Sequence, residues 1–525
     1  MKKALVMRSF LAAATLSLGS VALASSAGAT NLTIAMYVGT NVDTPTWTTM
    51  NTWGDTNDWS LLTTASNATY GQWAVAYADC HAASNTDCSL RETVAVSNRW
   101  YLQPTIVANI NSDIADAIAN DVANNGMTEE DATAFENNMG NGSSAVSLDL
   151  AAGPVANGGY SRYAVNFTQL KATYTISSAA GGPISTNGEI SLNIVGRGTS
   201  NTTIVGDGNT NAFYTDNGTA AINSLYLQDM TFKDFTYAGR GSVIEAYGNA
   251  TTTLVNVSFK DNETTNSSSG TIYSGATLNV TGGSFINNIA SNGGAIYVNN
   301  GNALNITGVE FSGNSADNGY GGAVYVYGTD FAIANSSFDH NFVNNYSDGS
   351  AFEIQQSTGT VYNTTVFQNS ATEYGAIAIY SSTVAFLNDT IVGNHAILGA
   401  AGLQLSADDT ITMGSTLLLD NMTAGAQANC STFAHPLVFT SLGGNIVSKG
   451  MAGGCRFGSH DKFVTSYKLG KYGFHGGMTQ TIPLVAKSVG TAFAPRATCQ
   501  TKDARGVSRG TTGTCDAGAY QVTKK

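Results

Sequence analysis

The 525-residue sequence predicts an all-β fold: a right-handed parallel β-helix between an N-terminal mixed cap containing short helices and a disulfide-bearing C-terminal cap. Three observations lead there. An apolar residue followed three positions later by Asn recurs through the centre of the chain, period-two alternation surrounds each recurrence, and the six cysteines are confined to the two ends. The expected organisation is a signal peptide at 1–29, the first cap at 30–200, repeats at 201–425 and the second cap at 426–525.

At the start of the chain, Lys2, Lys3 and Arg8 precede a short apolar run from Phe10 to Leu18. Ala22-Leu23-Ala24 and Ala27-Gly28-Ala29 are small-x-small cleavage sites. The run is too short for a membrane anchor and is interrupted by Thr15, Ser17, Gly19 and Ser20. Export to the cell surface or the extracellular space is expected, with no transmembrane segment after cleavage. An even cysteine count in an exported chain suggests disulfides. Neighbours in sequence give Cys80–Cys88, Cys430–Cys455 and Cys499–Cys515 as the simplest pairing.

The first cap holds all five tryptophans. Trp47, Trp53 and Trp59 lie six apart among Thr, Asn and Asp; exposed, they would stack on sugar rings or meet a partner, and buried, they would form the cap's core. Residues 110–140 read as helical, with Ile114, Ala117 and Ile118 on one face and Thr128-Glu129-Glu130-Asp131 resembling a helix start.

The repeats follow. The apolar/Asn pairs are Phe259/Asn262, Phe285/Asn288, Phe311/Asn314, Phe338/Asn341, Val366/Asn369, Ile391/Asn394 and Leu418/Asn421, and the asparagines step by 26, 26, 27, 28, 25 and 27 residues. Alternating apolar positions precede each pair, as in Leu278/Val280 and Leu304/Ile306, and a second strand signal follows, as in Gly294–Val298 and Gly322–Val326. A unit of this length cannot bury a face alone, so units must stack. Like positions then lie one rung apart, about 4.8 Å. Phe259, Phe285, Phe311 and Phe338 become an internal aromatic column, and the asparagines an amide ladder at a turn. The units lack the regular LxxLxL of leucine-rich repeats and the GGxGxD of calcium β-rolls.

Charge narrows the chemistry. Net charge is −13, and between Asp261 and Ser448 there are 13 acids and no Lys or Arg. Nucleic acid, anionic lipid and polyuronate are poor partners for such a surface. A lyase acting on polyuronate needs cations, and only Lys233, Arg240 and Lys260 on the early rungs offer them. Glycoside hydrolysis needs two carboxyls roughly 5–10 Å apart. Asp389, Asp408, Asp409 and Asp420, on neighbouring rungs, are the candidate set for that alternative, although scattered acids more often serve solubility. No cofactor is expected. Structural calcium has one candidate, Asp207-Gly208-Asn209-Thr210-Asn211, but Gly218 stands where an EF-hand loop needs Glu, so a polar turn is the better reading. His81, His340, His395, His435, His460 and His475 are dispersed, and no transition-metal site is expected.

Three sets of residues carry a family resemblance. Cys88-Ser89-Leu90-Arg91-Glu92 resembles the CSLREA motif of exported bacterial β-helix proteins, with Thr93 in place of the usual Ala. Phe285-Ile286-Asn287-Asn288 with Gly293-Gly294-Ala295-Ile296, and Phe311-Ser312-Gly313-Asn314 with Gly321-Gly322-Ala323-Val324, resemble the FxxN and GGA[ILV] repeats of polymorphic outer-membrane proteins. Asp503-Ala504-Arg505-Gly506, Cys515-Asp516-Ala517-Gly518-Ala519-Tyr520 and Leu442-Gly443-Gly444-Asn445-Ile446 resemble the choice-of-anchor Q domain. The resemblance implies exposure at the cell surface or outer membrane and adhesion; together with the lack of a catalytic constellation in the sequence, the expectation is a non-enzymatic protein that binds a glycan or a cell-surface protein.

Overall fold

A computed structural model describes residues 191–522 apart from 208, 216–223, 267–268, 346, 434–436, 451–454 and 486, and upstream the strands Leu32–Val38, Asp149–Leu150, Arg162–Phe167, Ala172–Ser177 and Ile184–Ser185. The signal peptide, Trp47, Trp53 and Trp59, the Cys80–Cys88 pair with its CSLRE motif, and the helical stretch 110–140 lie outside the described residues. No helix among the described residues is long and apolar enough to cross a membrane.

The chain divides into two compact units, 1–230 and 231–525. In the first, Arg162–Phe167 pairs in parallel with Leu32–Val38 and with Ser191–Val195, and Ala172–Ser177 with Thr202–Asp207. Parallel pairing thus already operates within the stretch 30–200.

The second unit is a parallel β-helix with three sheets. Its long-strand sheet carries the expected ladders. Period-two alternation in Thr251–Lys260 and Thr277–Ile286 buries Leu254, Phe259, Leu278, Val280 and Phe285 and turns the intervening residues outward. Register aligns Phe259, Phe285, Phe311 and Phe338, then Val366, Ile391 and Leu418. The rings stack at centroid distances of 4.6, 5.0 and 4.5 Å with interplanar angles of 6–9°. Isolated rings favour offset or edge-on pairs; here the backbone ladder imposes the parallel stack.

The asparagine ladder closes the next corner. Asn262, Asn288, Asn314, Asn341, Asn369, Asn394 and Asn421 are buried. Each donates from Nδ2 to the Oδ1 of the next across 2.8–3.0 Å and to a backbone carbonyl of the preceding rung. The chain enters this corner through a left-handed residue immediately before each ladder Asn, namely Asp261, Asn287, Gly313, His340, Gln368, Gly393 and Asp420. Left-handed backbone favours Gly, Asn and Asp. Five of the seven corner residues are of these types, and His340 and Gln368 take the same conformation, so the position repeats without a repeating letter. Asn421 hands the ladder to Asn429, which donates to Ser448.

Parallel pairing continues past residue 425, within the stretch expected as the second cap. Cys430–Thr432, Val438–Gly443 and Ile446–Ser448 add to the three preceding strands of their sheets, and Lys462–Val464 follows Ile446–Ser448. Beyond that the chain turns back along the outer flank of the long-strand sheet. Tyr472 Oη donates to Asp339 Oδ1 (2.7 Å), Gln480 Nε2 to Glu310 (2.5 Å) and Thr479 Oγ1 to the Asn335 carbonyl (2.8 Å). The C-terminal segment is a strap over several rungs as well as an end. Both expected C-terminal disulfides, Cys430–Cys455 and Cys499–Cys515, are present.

Candidate functional site

Asp389, Asp408, Asp409 and Asp420 do not assemble a site. Asp389 is buried at one corner, where its Oδ1 accepts the Thr364 N–H (2.9 Å) and its own N–H donates to Thr416 Oγ1 (3.2 Å). The Thr416 N–H in turn donates to Asn445 Oδ1 (3.0 Å). Asp389 is therefore one member of a column that uses a short polar side chain to satisfy the corner's N–H groups. Burial pushes its carboxyl well above the ordinary aspartate range. Asp409 does the same work at another corner, accepting from Ser382 N–H (3.0 Å) in a column with Thr329 and Ser357. Burial raises it to about 6. Asp408 is exposed beside it, and Asp420 belongs to the asparagine-ladder corner, where it accepts from Gln427 Nε2 (2.9 Å). Three different corners hold these four acids.

A denser constellation lies on the outer face of the sheet formed by Gly241–Ala246, Gly270–Ser274, Ile296–Asn299, Val324–Tyr327, Phe352–Gln355, Ile377–Tyr380, Leu403–Leu405 and Cys430–Thr432. Strand alternation sends Ile272, Ile296, Val324, Phe352, Ile377 and Leu403 inward. The neighbouring outward column reads Glu245, Tyr273, Tyr297, Tyr325, Glu353, Ala378, Gln404 and Ser431 in register. Tyr273, Tyr297 and Tyr325 form a separate buried cluster, with Tyr297 and Tyr325 stacked at 4.9 Å. Burial pushes Tyr297 up to about 12 and Tyr325 higher still.

The two ends of this column differ in charge. Toward the early rungs, Arg240 donates from Nη1 to Tyr273 Oη (3.2 Å) and lies 5.2 Å from that ring's centroid. Toward the later rungs the charges are acidic. Glu353 is fully buried; its Oε1 accepts from Gln355 Nε2 (2.5 Å) and its Oε2 has no hydrogen-bond partner among the described residues. Asp348 accepts the Tyr380 hydroxyl and the Tyr374 N–H (3.1 Å). Burial raises Asp348 to about 6, and burial followed by the nearby Asp348 charge holds Glu353 well above the ordinary glutamate range. Glu373 adds a third carboxyl close enough to raise Asp348.

Aromatic rings frame these acids. Tyr374 meets Phe433 edge-on at 4.7 Å, Tyr380 stacks on Phe433 at 6.0 Å, and Tyr320 leans on Tyr325 at 5.8 Å. Phe433 and Tyr320 remain 48% and 42% exposed, so part of each ring stays open to solvent despite these contacts. Sequence reading passed over this set. The Tyr273, Tyr297 and Tyr325 recurrence was its available signal; Asp348, Tyr374 and Phe433 lie in turns whose approach the repeat does not encode.

The Asp503-Ala504-Arg505-Gly506 and Cys515–Tyr520 motifs have a structural role. The buried Asp503 carboxylate accepts Arg505 Nη2 (2.6 Å) and the N–H groups of Arg505, Val507 and Gln521. Arg509, buried, donates to Asn363 Oδ1 (3.0 Å) and to the Asp516 and Gly518 carbonyls, which pins the strap to the rungs. Asp207 ends its strand and Thr210 Oγ1 donates to the Asn211 carbonyl; among the described residues no group of three or more His, Cys, Asp or Glu could hold a metal ion.

No family model matches the chain, and no curated protein matches it. Among solved structures it is similar to a PL6 family alginate lyase, AlyGC, at 10% identity and a TM-score of 0.28, covering 64% of this chain and 53% of that one. The chain thus spans about half the length of that protein.

Proposed function

We propose that this is an exported, non-enzymatic adhesion protein of the CSLREA and choice-of-anchor Q type, and that it binds glycan through the outer face of its tyrosine-bearing sheet. The observation that carries the reading is the grouping of exposed aromatic faces, Tyr320 and Phe433, with the acceptor-rich Asp348 and Tyr374 turns on one rigid sheet. Sugars are held by aromatic faces under their C–H groups and by polar atoms at their hydroxyls. Repetition of rungs about 4.8 Å apart suits a repeating polymer, because one pyranose unit is of comparable length. The hydrolase alternative is weaker: its Asp389 and Asp409 serve as corner acceptors, and Glu353 is closed to solvent.

The test is retention of the purified secreted chain on a panel of insoluble polysaccharides, with released reducing ends measured in parallel. Retention without cleavage is expected. Absence of retention on every polymer, or turnover lost in Asp389→Asn, would overturn the reading.

A further inference from the structure

Resting on the glycan-binding reading, the chemistry of the same face narrows the ligand. Asp348, Glu353 and Glu373 bring three carboxyls together, and the 261–448 stretch that builds this end contains no Lys or Arg to neutralise them. Among the described residues, Asp348 and Glu353 accept only from uncharged donors: the Tyr380 hydroxyl, the Tyr374 N–H and the Gln355 amide. Glu353 is held in the outward column between Tyr325 and Ala378, fully buried and with Oε2 unpartnered among the described residues. A Cβ added to Gly349 would approach Glu353 Cβ to 2.8 Å, so the Asp348 turn sits directly over it.

A buried carboxyl lacking a counter-charge is costly unless it is neutralised by a proton or a cation. Two features distinguish this place from a solvated acidic surface: the orphan oxygen of Glu353, and the Tyr374, Tyr380 and Phe433 rings, which meet one another where Tyr374 and Tyr380 bond Asp348. Carboxylates beside aromatic faces are the recognition set for an ammonium group. Uronate would be repelled, and a fully neutral sugar would leave the charge uncompensated.

We propose that this patch selects polysaccharides bearing free amino groups, with the ammonium held by Asp348 and Glu373 against the Tyr374 and Phe433 rings and Glu353 as the fixed acid beneath. Arrival of the cation favours the ionised form of the carboxyls below it, so binding releases protons.

The experiment compares retention of the intact protein on chitosan, on fully N-acetylated chitin and on cellulose, near pH 6. Chitosan is expected to retain it about tenfold better than either, as a cation–π contact backed by carboxylates would give. Glu373→Gln, Asp348→Asn and Tyr374→Ala should each abolish the preference while thermal melting confirms the fold. Calorimetry in two buffers of different ionisation enthalpy should show proton release that Asp348→Asn and Glu353→Gln each reduce. Equal retention on all three polymers would overturn amine selection and leave glycan binding standing; retention on none would overturn both. Binding to poly-lysine as tight as to chitosan and indifferent to Tyr374→Ala would also overturn it, by marking a general polycation surface.

Discussion

Asn314 Oδ1 accepts two hydrogen bonds from Asn288, one from its Nδ2 (2.9 Å) and one from its backbone N–H (3.1 Å). Asn314 passes the same pair on to Asn341 and also donates to the Phe285 carbonyl. Every polar atom of the buried amide is used, and each bond ties one coil to the next.

Asn314→Ala removes the acceptor of the Asn288 Nδ2 and backbone N–H and the donor to the Phe285 carbonyl, while Asn341 Oδ1 keeps the backbone N–H of residue 314. Unpaired buried groups cost about 1–3 kcal/mol each, so a loss on the order of 3–5 kcal/mol is expected as a fall in urea midpoint. An unchanged midpoint would mean the ladder does not hold the rungs.

Phe311 stacks between Phe285 and Phe338 and is completely buried. Phe311→Ala is expected to cost about 3–5 kcal/mol by leaving a cavity. Phe311→Leu should cost under about 2 kcal/mol, because the same column accepts Val366, Ile391 and Leu418 on later rungs. Denaturant titration of the two variants checks the ordering.

How far the sequence announced these features depends on whether identity or only hydrogen-bonding role repeats. The Asn column was legible because the same residue returns at each rung, and the Phe column because an apolar residue always stands three positions before that Asn. The corner column of Thr364, Asp389, Thr416 and Asn445 was not, since any short acceptor satisfies the same N–H and the letters vary. That is why Asp389 and Asp409 looked like candidate catalytic acids. The strap was invisible for a different reason. Tyr472 and Gln480 meet Asp339 and Glu310 more than 130 residues away in sequence, with no period to reveal it.

Asp389 sets a pH dependence. Its folded-state carboxyl is raised far above the ordinary aspartate value of about 3.9. The folded state therefore binds more protons than the unfolded chain, and stability falls as pH rises above about 4. Asp389→Asn keeps an oxygen for the Thr364 N–H and matches the Asn445 that occupies the same column. It should melt higher than the parent at pH 7 and converge with it at pH 4; the opposite trend would show Asp389 ionised in a stabilising pair.

The Cys499–Cys515 bridge, 16 residues apart, closes part of the strap. Replacing both cysteines with Ala should cost about 3 kcal/mol, as for a loop of that size, and should expose residues 466–522 to limited proteolysis before the rungs are cut. Simultaneous cleavage of strap and rungs would show that the strap is not a separate layer.

The most direct measurement places the glycan on one face. Tyr320→Ala/Tyr374→Ala/Phe433→Ala removes the aromatic faces of the tyrosine-bearing sheet, while Asn279→Ala/Asn305→Ala alters an exposed amide pair on the long-strand sheet. Polysaccharide retention should be lost in the triple variant and kept in the double variant, with both folded by circular dichroism. Retention that survives the triple variant undiminished would contradict the assignment of this face as the binding surface.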